Sequence, residues 1–156
     1  MEIAFNQLPP SENKIRIIRV IRGRPGGMAY TKEASNYKKD FKAAMLKEYA
    51  APIVQFAKEH KFDSAYKVKI VLYFDRSQLI NKGWPNTKTY IKKMDVGNRR
   101  KLLEDCLAEV LGIDDMFTFD LQLVKRACNP DANFPYEREP GAHILIKRVD
   151  LGSYGL

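Results

Sequence analysis

Apolar and polar positions alternate along the chain with two different periods. Residues 2–8 (EIAFNQL) read as a short strand, stopped by Pro9-Pro10, whose fixed φ and missing N–H groups cannot continue a ladder. Residues 14–22 interleave β-branched residues with Lys14, Arg16, Arg19 and Arg22, which predicts a strand or extended arm with one basic side. In the RGRPGGM run that follows, Pro25-Gly26-Gly27 predicts a mobile basic loop without regular structure.

From Thr31, a plausible N-cap, the period becomes helical: Tyr37, Phe41, Ala44, Met45, Tyr49, Ile53 and Phe56 recur at three- and four-residue intervals. Pro52 should kink or split this helix, and Lys38, Lys39, Lys42, Lys47 and Lys58 fall largely outside the apolar stripe, as on a solvated face. Residues 66–74 alternate as a strand with Val68, Ile70 and Leu72 on one side. The Asn-, Gly-, Pro- and Lys-rich stretch from Asp75 to Lys93 reads as a long surface excursion carrying Trp84 and Tyr90. A second helix is predicted from Gly97 through Leu102, Leu103, Cys106, Leu107, Val110 and Leu111 to a stop at Gly112, with strands near 119–128 and 142–149. The order β-β-α-β-α-β-β predicts an α+β fold, a mixed sheet packed by two main helices in a single domain over 1–156.

Composition narrows the class. With 156 residues the chain can close one core without staples, and no apolar run approaches the ~20 residues a membrane span requires. No secretory or organellar address is visible at the N-terminus, so a cytoplasmic location is expected. Cys106 and Cys128 stand in a helical and a strand segment with no CxxC or Cys/His cluster around them, and are expected as buried free thiols. His60 and His143 are expected as ordinary surface or sheet residues. The glycine-rich run lacks the Gly-Lys-Ser/Thr of a phosphate loop. Twenty-seven Lys and Arg against 19 Asp and Glu give a net charge of +8, a field that draws polyanions inward and makes nucleic acid the first suspected partner.

Against that basic background, the acids between residues 92 and 115 (KKMDVGNRRKLLEDCLAEVLGIDD) carry the chemistry. Asp95 precedes the second helix, Asn98 and Lys101 lie in its first turns, and Asp114-Asp115 follow its end. Clustered carboxylates repel phosphate unless a cation lies between them, and aspartates in loops supply the hard oxygens that Mg²⁺ takes. Such an ion lowers the pKa of bound water and neutralises a phosphodiester under attack, while Lys101 can stabilise developing charge. Each residue also has a structural role open to it. Asp95 fits an N-cap, Lys101 a surface ion pair with Asp105, and Asp114-Asp115 a turn after the helix stop. The helix is about 20 Å long at ~1.5 Å per residue, so Asp95 and Asp115 meet only if the fold brings its ends back together.

Pro9, Pro10, Ser11 and Asn13, then Arg22 to Arg24, then Asp95, Asn98, Lys101, Asp105 and Leu107, then Asp114-Asp115, together resemble the RusA-type Holliday junction resolvases, in order over most of the chain. The resemblance implies a RusA-like fold and a homodimeric endodeoxyribonuclease that needs Mg²⁺ or Mn²⁺ and cuts four-way DNA junctions in recombination and repair, in a family found in phages and prophages. It implies Asp95, Lys101 and Asp115 as catalytic; with Asp114 as the nearest further carboxylate, Asp95, Asp114 and Asp115 are the expected metal ligands. Lys14, Arg16, Arg22, Arg24, Arg99 and Arg100 are the candidate DNA contacts. One position departs: the family's second catalytic aspartate falls on Gly97, and Asp114, Asp105 or Asp75 are the substitutes available. Two further readings follow, a junction-binding protein that cuts weakly or not at all, and a single-strand or RNA binder stacking bases on Tyr30, Trp84 and Tyr90.

Overall fold

A computed structural model describes residues 1–11, 16–21, 24–61, 63–86, 88–92 and 97–155, with the backbone alone at 17–21, 24, 25, 27, 28, 98 and 115. By its contacts the chain forms two compact units, one of Met1–Leu8, Lys61–Val96 and Met116–Leu156, the other of Pro9–His60 and Gly97–Asp115.

The first unit is built on a four-stranded mixed sheet ordered β1-β6-β4-β5. Its strands are β1 (Glu2–Phe5), β4 (Ala65–Phe74), β5 (Thr118–Ala127) and β6 (Gly141–Val149). β4 lies between β6, antiparallel to it, and β5, parallel to it. Parallel neighbours cannot be joined by a tight hairpin, and residues 75–117 supply the long crossover that this pairing demands. Val68, Ile70 and Leu72 are buried on one side of β4 as their spacing predicts. Val71 and Tyr73 are buried as well. Tyr136, in a short 3-10 turn (Pro135–Glu137), stacks on His143, the β6 partner of Val71, with centroids 3.9 Å apart, and Tyr73 donates to Glu137 at 3.0 Å. His143, expected as a surface or sheet residue, is a buried sheet residue with Nε2 2.7 Å from a Glu2 carboxylate oxygen. β1 ends at Phe5, earlier than expected, and just before the strand the Met1 amino group donates to the Ile146 carbonyl at 2.6 Å. Gly141 is required where β6 starts: a Cβ there would stand 2.5 Å from the Phe5 carbonyl oxygen.

The second unit holds a two-stranded ribbon, β2 (Arg16–Ile21) and β3 (Arg24–Tyr30), and the helices α1 (Lys32–Glu48), α2 (Ala50–Glu59) and α4 (Gly97–Leu111). β3 corrects the expectation of an irregular loop at Pro25-Gly26-Gly27: the segment pairs antiparallel with β2, Pro25 facing Val20 beside a register shift. In a two-stranded ribbon both strands are edges, so a proline whose N–H would face outward removes no ladder bond. Thr31 caps α1 as predicted, accepting from the Ala34 N–H at 3.2 Å, and Ala34, Tyr37, Phe41 and Met45 form its buried stripe. The Pro52 break falls at Tyr49, which places the proline in the first turn of α2, where a missing N–H costs nothing. α4 buries Leu102, Leu103, Cys106, Leu107 and Leu111. It ends where expected: Gly112 takes φ +66°, and the Ile113 N–H returns to the Ala108 carbonyl at 3.2 Å, the bond of a Schellman stop.

The expected solvated lysine face is corrected in part, because Lys38 and Lys42 both reach Glu109 of α4, at 3.2 and 3.0 Å. Cys106 is a buried thiol, whereas Cys128, just past β5, is only half-buried. Among the described residues no helix is long and apolar enough to cross a membrane.

Candidate functional site

Lys101, Glu104, Asp105 and Ala108 recur along α4 at the spacing of one helical face, opposite the leucines. The Schellman stop then folds the chain back, so that Ile113 and Asp114 join this face and the six residues line one pocket of about 210 Å³. Gly112 is what permits it: the left-handed φ would strain a residue with a Cβ, and it turns Asp114 toward the side of the helix that carries Lys101.

Charge in the pocket is ordered by pairs. The Lys101 ammonium lies 3.2 Å from Asp105 Oδ1, and the Tyr30 hydroxyl donates to the other oxygen, Oδ2, also at 3.2 Å. Asp105 is three-quarters buried, so its two bonds are better shielded from water than those of a surface pair. Arg100 holds Glu104 at 3.1 Å. Tyr30 is itself braced by cations, Lys38 Nζ at 4.9 Å and the Arg16 guanidinium carbon at 5.8 Å from its ring centroid. Although partial burial works against its charge, the Lys38 ammonium is held above its ordinary pKa by Glu109, and Glu109 is held below the usual carboxylate range by Lys42 and then Lys38. Cys106, on the inner side of the same helix, has its thiol pushed up to about 12, first by burial, which leaves it inert.

The structure places the sequence candidates unequally. It brings Lys101 and Asp114 to one pocket. Asp115 opens the 3-10 turn Asp115–Phe117 directly after Asp114, its side chain outside the described residues, as are Asp95, Lys14 and Arg22 altogether. Arg24 opens β3, its side chain likewise outside. Arg16 is exposed. Arg99 is half-buried and donates to the Pro9 carbonyl, and burial lowers its pKa, so part of its guanidinium serves to hold Pro9 in place. Of the three substitutes expected for the acid at Gly97, Asp75 precedes the short helix α3 (Arg76–Leu79), its backbone N–H donating to Gln78 Oε1 at 3.0 Å and its carbonyl accepting from the Gln78 N–H at 2.8 Å, and Asp105 meets Lys101 with one oxygen and Tyr30 with the other. Asp114 is exposed at the pocket, with the hard oxygens a divalent ion prefers. Among the described residues no three Asp, Glu, His or Cys side chains converge on one point. The donor chemistry at Asp114 fits such an ion, as one contributor to a set.

Sequence reasoning missed the link from Tyr30 to Asp105, and treated Tyr30 as a base-stacking residue. Seventy-five residues separate the pair, and no local pattern could have joined them.

No curated protein matches the chain significantly. The model of the family described as endodeoxyribonuclease RusA, in contrast, matches residues 9–147, a span that takes in the helix with Lys101, the turn with Asp114 and the strands that precede and follow them. The chain therefore belongs to the RusA family of endodeoxyribonucleases, enzymes that act on Holliday junctions.

Proposed function

We propose that this chain is a metal-dependent, homodimeric resolvase of four-way DNA junctions serving recombination and repair, with its catalytic centre at the α4 pocket. The observation that carries this reading is the return of Asp114 to the face of Lys101. Asp95, Asp114 and Asp115 would hold Mg²⁺ or Mn²⁺, Asp114 taking the place left by Gly97. When bound, the ion supplies an acidified water as nucleophile and neutralises charge on the scissile phosphate.

The chain's own residues do the rest. Lys101 places a permanent positive charge where the phosphodiester accumulates negative charge. Asp105 is a positioning residue: one oxygen fixes the Lys101 ammonium, and the other is held by Tyr30, so the lysine searches fewer rotamers. The exposed Arg16 and Arg100, with Lys14, Arg22, Arg24 and Arg99, would contact DNA phosphates and give binding its salt dependence. Two such sites related by a two-fold axis would meet the opposed strands of a junction. The chain passes four times between its two contact units, which supports one domain over 1–156.

The test is cleavage of a synthetic four-way junction with Mg²⁺ or Mn²⁺ by wild type, Asp115→Asn and Asp114→Asn. Activity in wild type that either substitution abolishes supports the site; equal activity in all three removes it. The second reading, a junction binder that cuts weakly, is motivated by Gly97 and is favoured if wild type binds junctions tightly without nicking them.

A further inference from the structure

Between β4 and α4, the excursion over Asp75–Lys92 holds two large aromatic side chains in water. Trp84 is 51% and Tyr90 43% exposed. Their rings meet edge to face, centroids 5.9 Å apart at 69°, an arrangement in which neither covers both faces of the other. An unsupported loop would let such rings collapse, but this one is tied at its neck. Ile80 and Ile91 form an antiparallel bridge, the Lys92 N–H reaches the Leu79 carbonyl at 2.8 Å, and the Asn81 N–H reaches the Tyr90 carbonyl at 2.9 Å. The Asn81 side-chain amide donates across the loop to the Thr89 carbonyl at 2.7 Å, and the Trp84 N–H returns to the Asn81 carbonyl at 3.2 Å. Asn81 thus fixes the backbone under both rings.

The charge of the segment identifies what the rings face. From Arg76 to Lys92 the chain carries Arg76, Lys82, Lys88 and Lys92 and not one Asp or Glu, and Lys82 and Lys88 are exposed on either side of Trp84. A second copy of this chain docking here about a two-fold axis would set these cations against one another. A polyanion with flat apolar groups suits both features, its phosphates on the lysines and its bases on the rings.

We infer that Trp84 and Tyr90 form a stacking platform for unpaired nucleobases of branched DNA, with Lys82 and Lys88 on the adjoining phosphates. The inference rests on the reading of this protein as acting on branched DNA and names a contact for that substrate outside the pocket lining. Bases at a branch point are easier to unstack than those within a duplex, so the platform would favour branched over linear DNA.

Trp84 is the sole tryptophan of the chain, so indole emission reports on this position alone. The experiment titrates the full-length protein, in EDTA to prevent cutting, with an immobile four-way junction, a linear duplex of equal length and an oligothymidine strand, reading emission and DNA anisotropy together. The junction and the single strand should quench the emission and the duplex should leave it nearly unchanged. Trp84→Ala should weaken junction binding roughly tenfold while leaving duplex binding within about twofold, and Trp84→Phe should restore most of the loss. Asn81→Ala, which keeps both rings but loosens the neck, should lose part of the quench. Unchanged emission at saturating junction, or a Trp84→Ala variant that binds junction like wild type, overturns the platform. So does emission that changes with protein concentration but not with DNA, which assigns the rings to self-association. If wild type shows no preference for junction but the single strand still quenches, the resolvase reading fails and the platform stands.

Discussion

The α4 pocket and the Trp84 excursion both face solvent, and they are charged in opposite ways. The pocket sets Glu104, Asp105 and Asp114 around one lysine, whereas the excursion from Arg76 to Lys92 has four cations and no acid. A phosphate backbone can settle on the second directly, but it enters the first only when a cation lies between it and the carboxylates. Placement follows charge. The pocket's groups stand on a helix whose inner face is locked by leucines and on the turn that stops it, which suits chemistry that tolerates little displacement. The rings stand on a surface loop tied at its neck, which suits contact with a surface of varying shape. Binding and turnover should therefore be separable by mutation.

The largest effect is expected at Lys101. Lys101→Ala should lower junction cleavage by about 10²–10³-fold, the usual cost of removing a group that meets developing charge, while anisotropy in EDTA shows binding within about threefold of wild type. A matching loss of affinity would merge the two regions into one binding surface. Gly97→Asp supplies the acid that the family pattern has at the start of α4, and an acid in a first helical turn is also favoured by the helix dipole. It should raise cleavage about tenfold or more at limiting Mg²⁺, read as a shift of the metal titration to lower concentration. No shift would mean that Asp114 already completes the ligand set.

Asp105→Asn sharpens the comparison at an intermediate level. The amide keeps the shape and can still accept from Tyr30, but no longer anchors the Lys101 ammonium by charge. We expect kcat to fall roughly tenfold with KM for the junction nearly constant and thermal stability unchanged, and Tyr30→Phe to have a smaller effect of the same kind. A change confined to the melting temperature would reduce Asp105 to a structural ion pair. The two thiols offer a further contrast. With Cys106 buried and its pKa pushed up to about 12, and Cys128 half-exposed, a disulfide reagent at pH 8 should modify Cys128 in the native protein and both after denaturation.

What the sequence made legible was whatever a few neighbouring residues decide. The Thr31 cap, the Gly112 stop, the leucine stripe of α4 and the Val68-Ile70-Leu72 side of β4 each follow from spacing alone. The misses share a cause, that partners distant in the chain decided the outcome. Pro25-Gly26-Gly27 is a poor strand in isolation and became one because β2 was there to pair with it. Lys38 and Lys42 read as solvated because Glu109 is 67 residues beyond Lys42. At the site, Asp114 and Lys101 were picked out by residue type and family pattern, but their shared pocket depended on the direction of the turn after Gly112. Nor does composition reveal that the Asn-rich excursion ties its own neck, since that required Asn81 to meet Thr89 across the loop.

The smallest effect tests whether the cations of α1 belong to the field that draws DNA or to the fold. Glu109 has its pKa lowered by Lys42 and Lys38, so its share of stability is present above the unfolded carboxylate value of ~4.3 and is lost as pH falls through the folded one. Lys38 has its pKa raised, so its share is complete below ~10.4 and lost only as pH rises through the higher folded value. Between those limits both contribute, but with side chains 26%, 53% and 45% exposed the cluster behaves as a surface network worth about 1 kcal/mol or less, screened by salt. Glu109→Gln should therefore lower the melting temperature slightly at pH 7, by a difference that shrinks as pH falls through the lowered folded value of the carboxylate. The same variant frees Lys38 and Lys42 for phosphate. If it steepens the salt dependence of junction binding by about one counterion, α1 takes part in DNA binding; if the salt slope stays fixed while stability falls, the two lysines serve the fold alone.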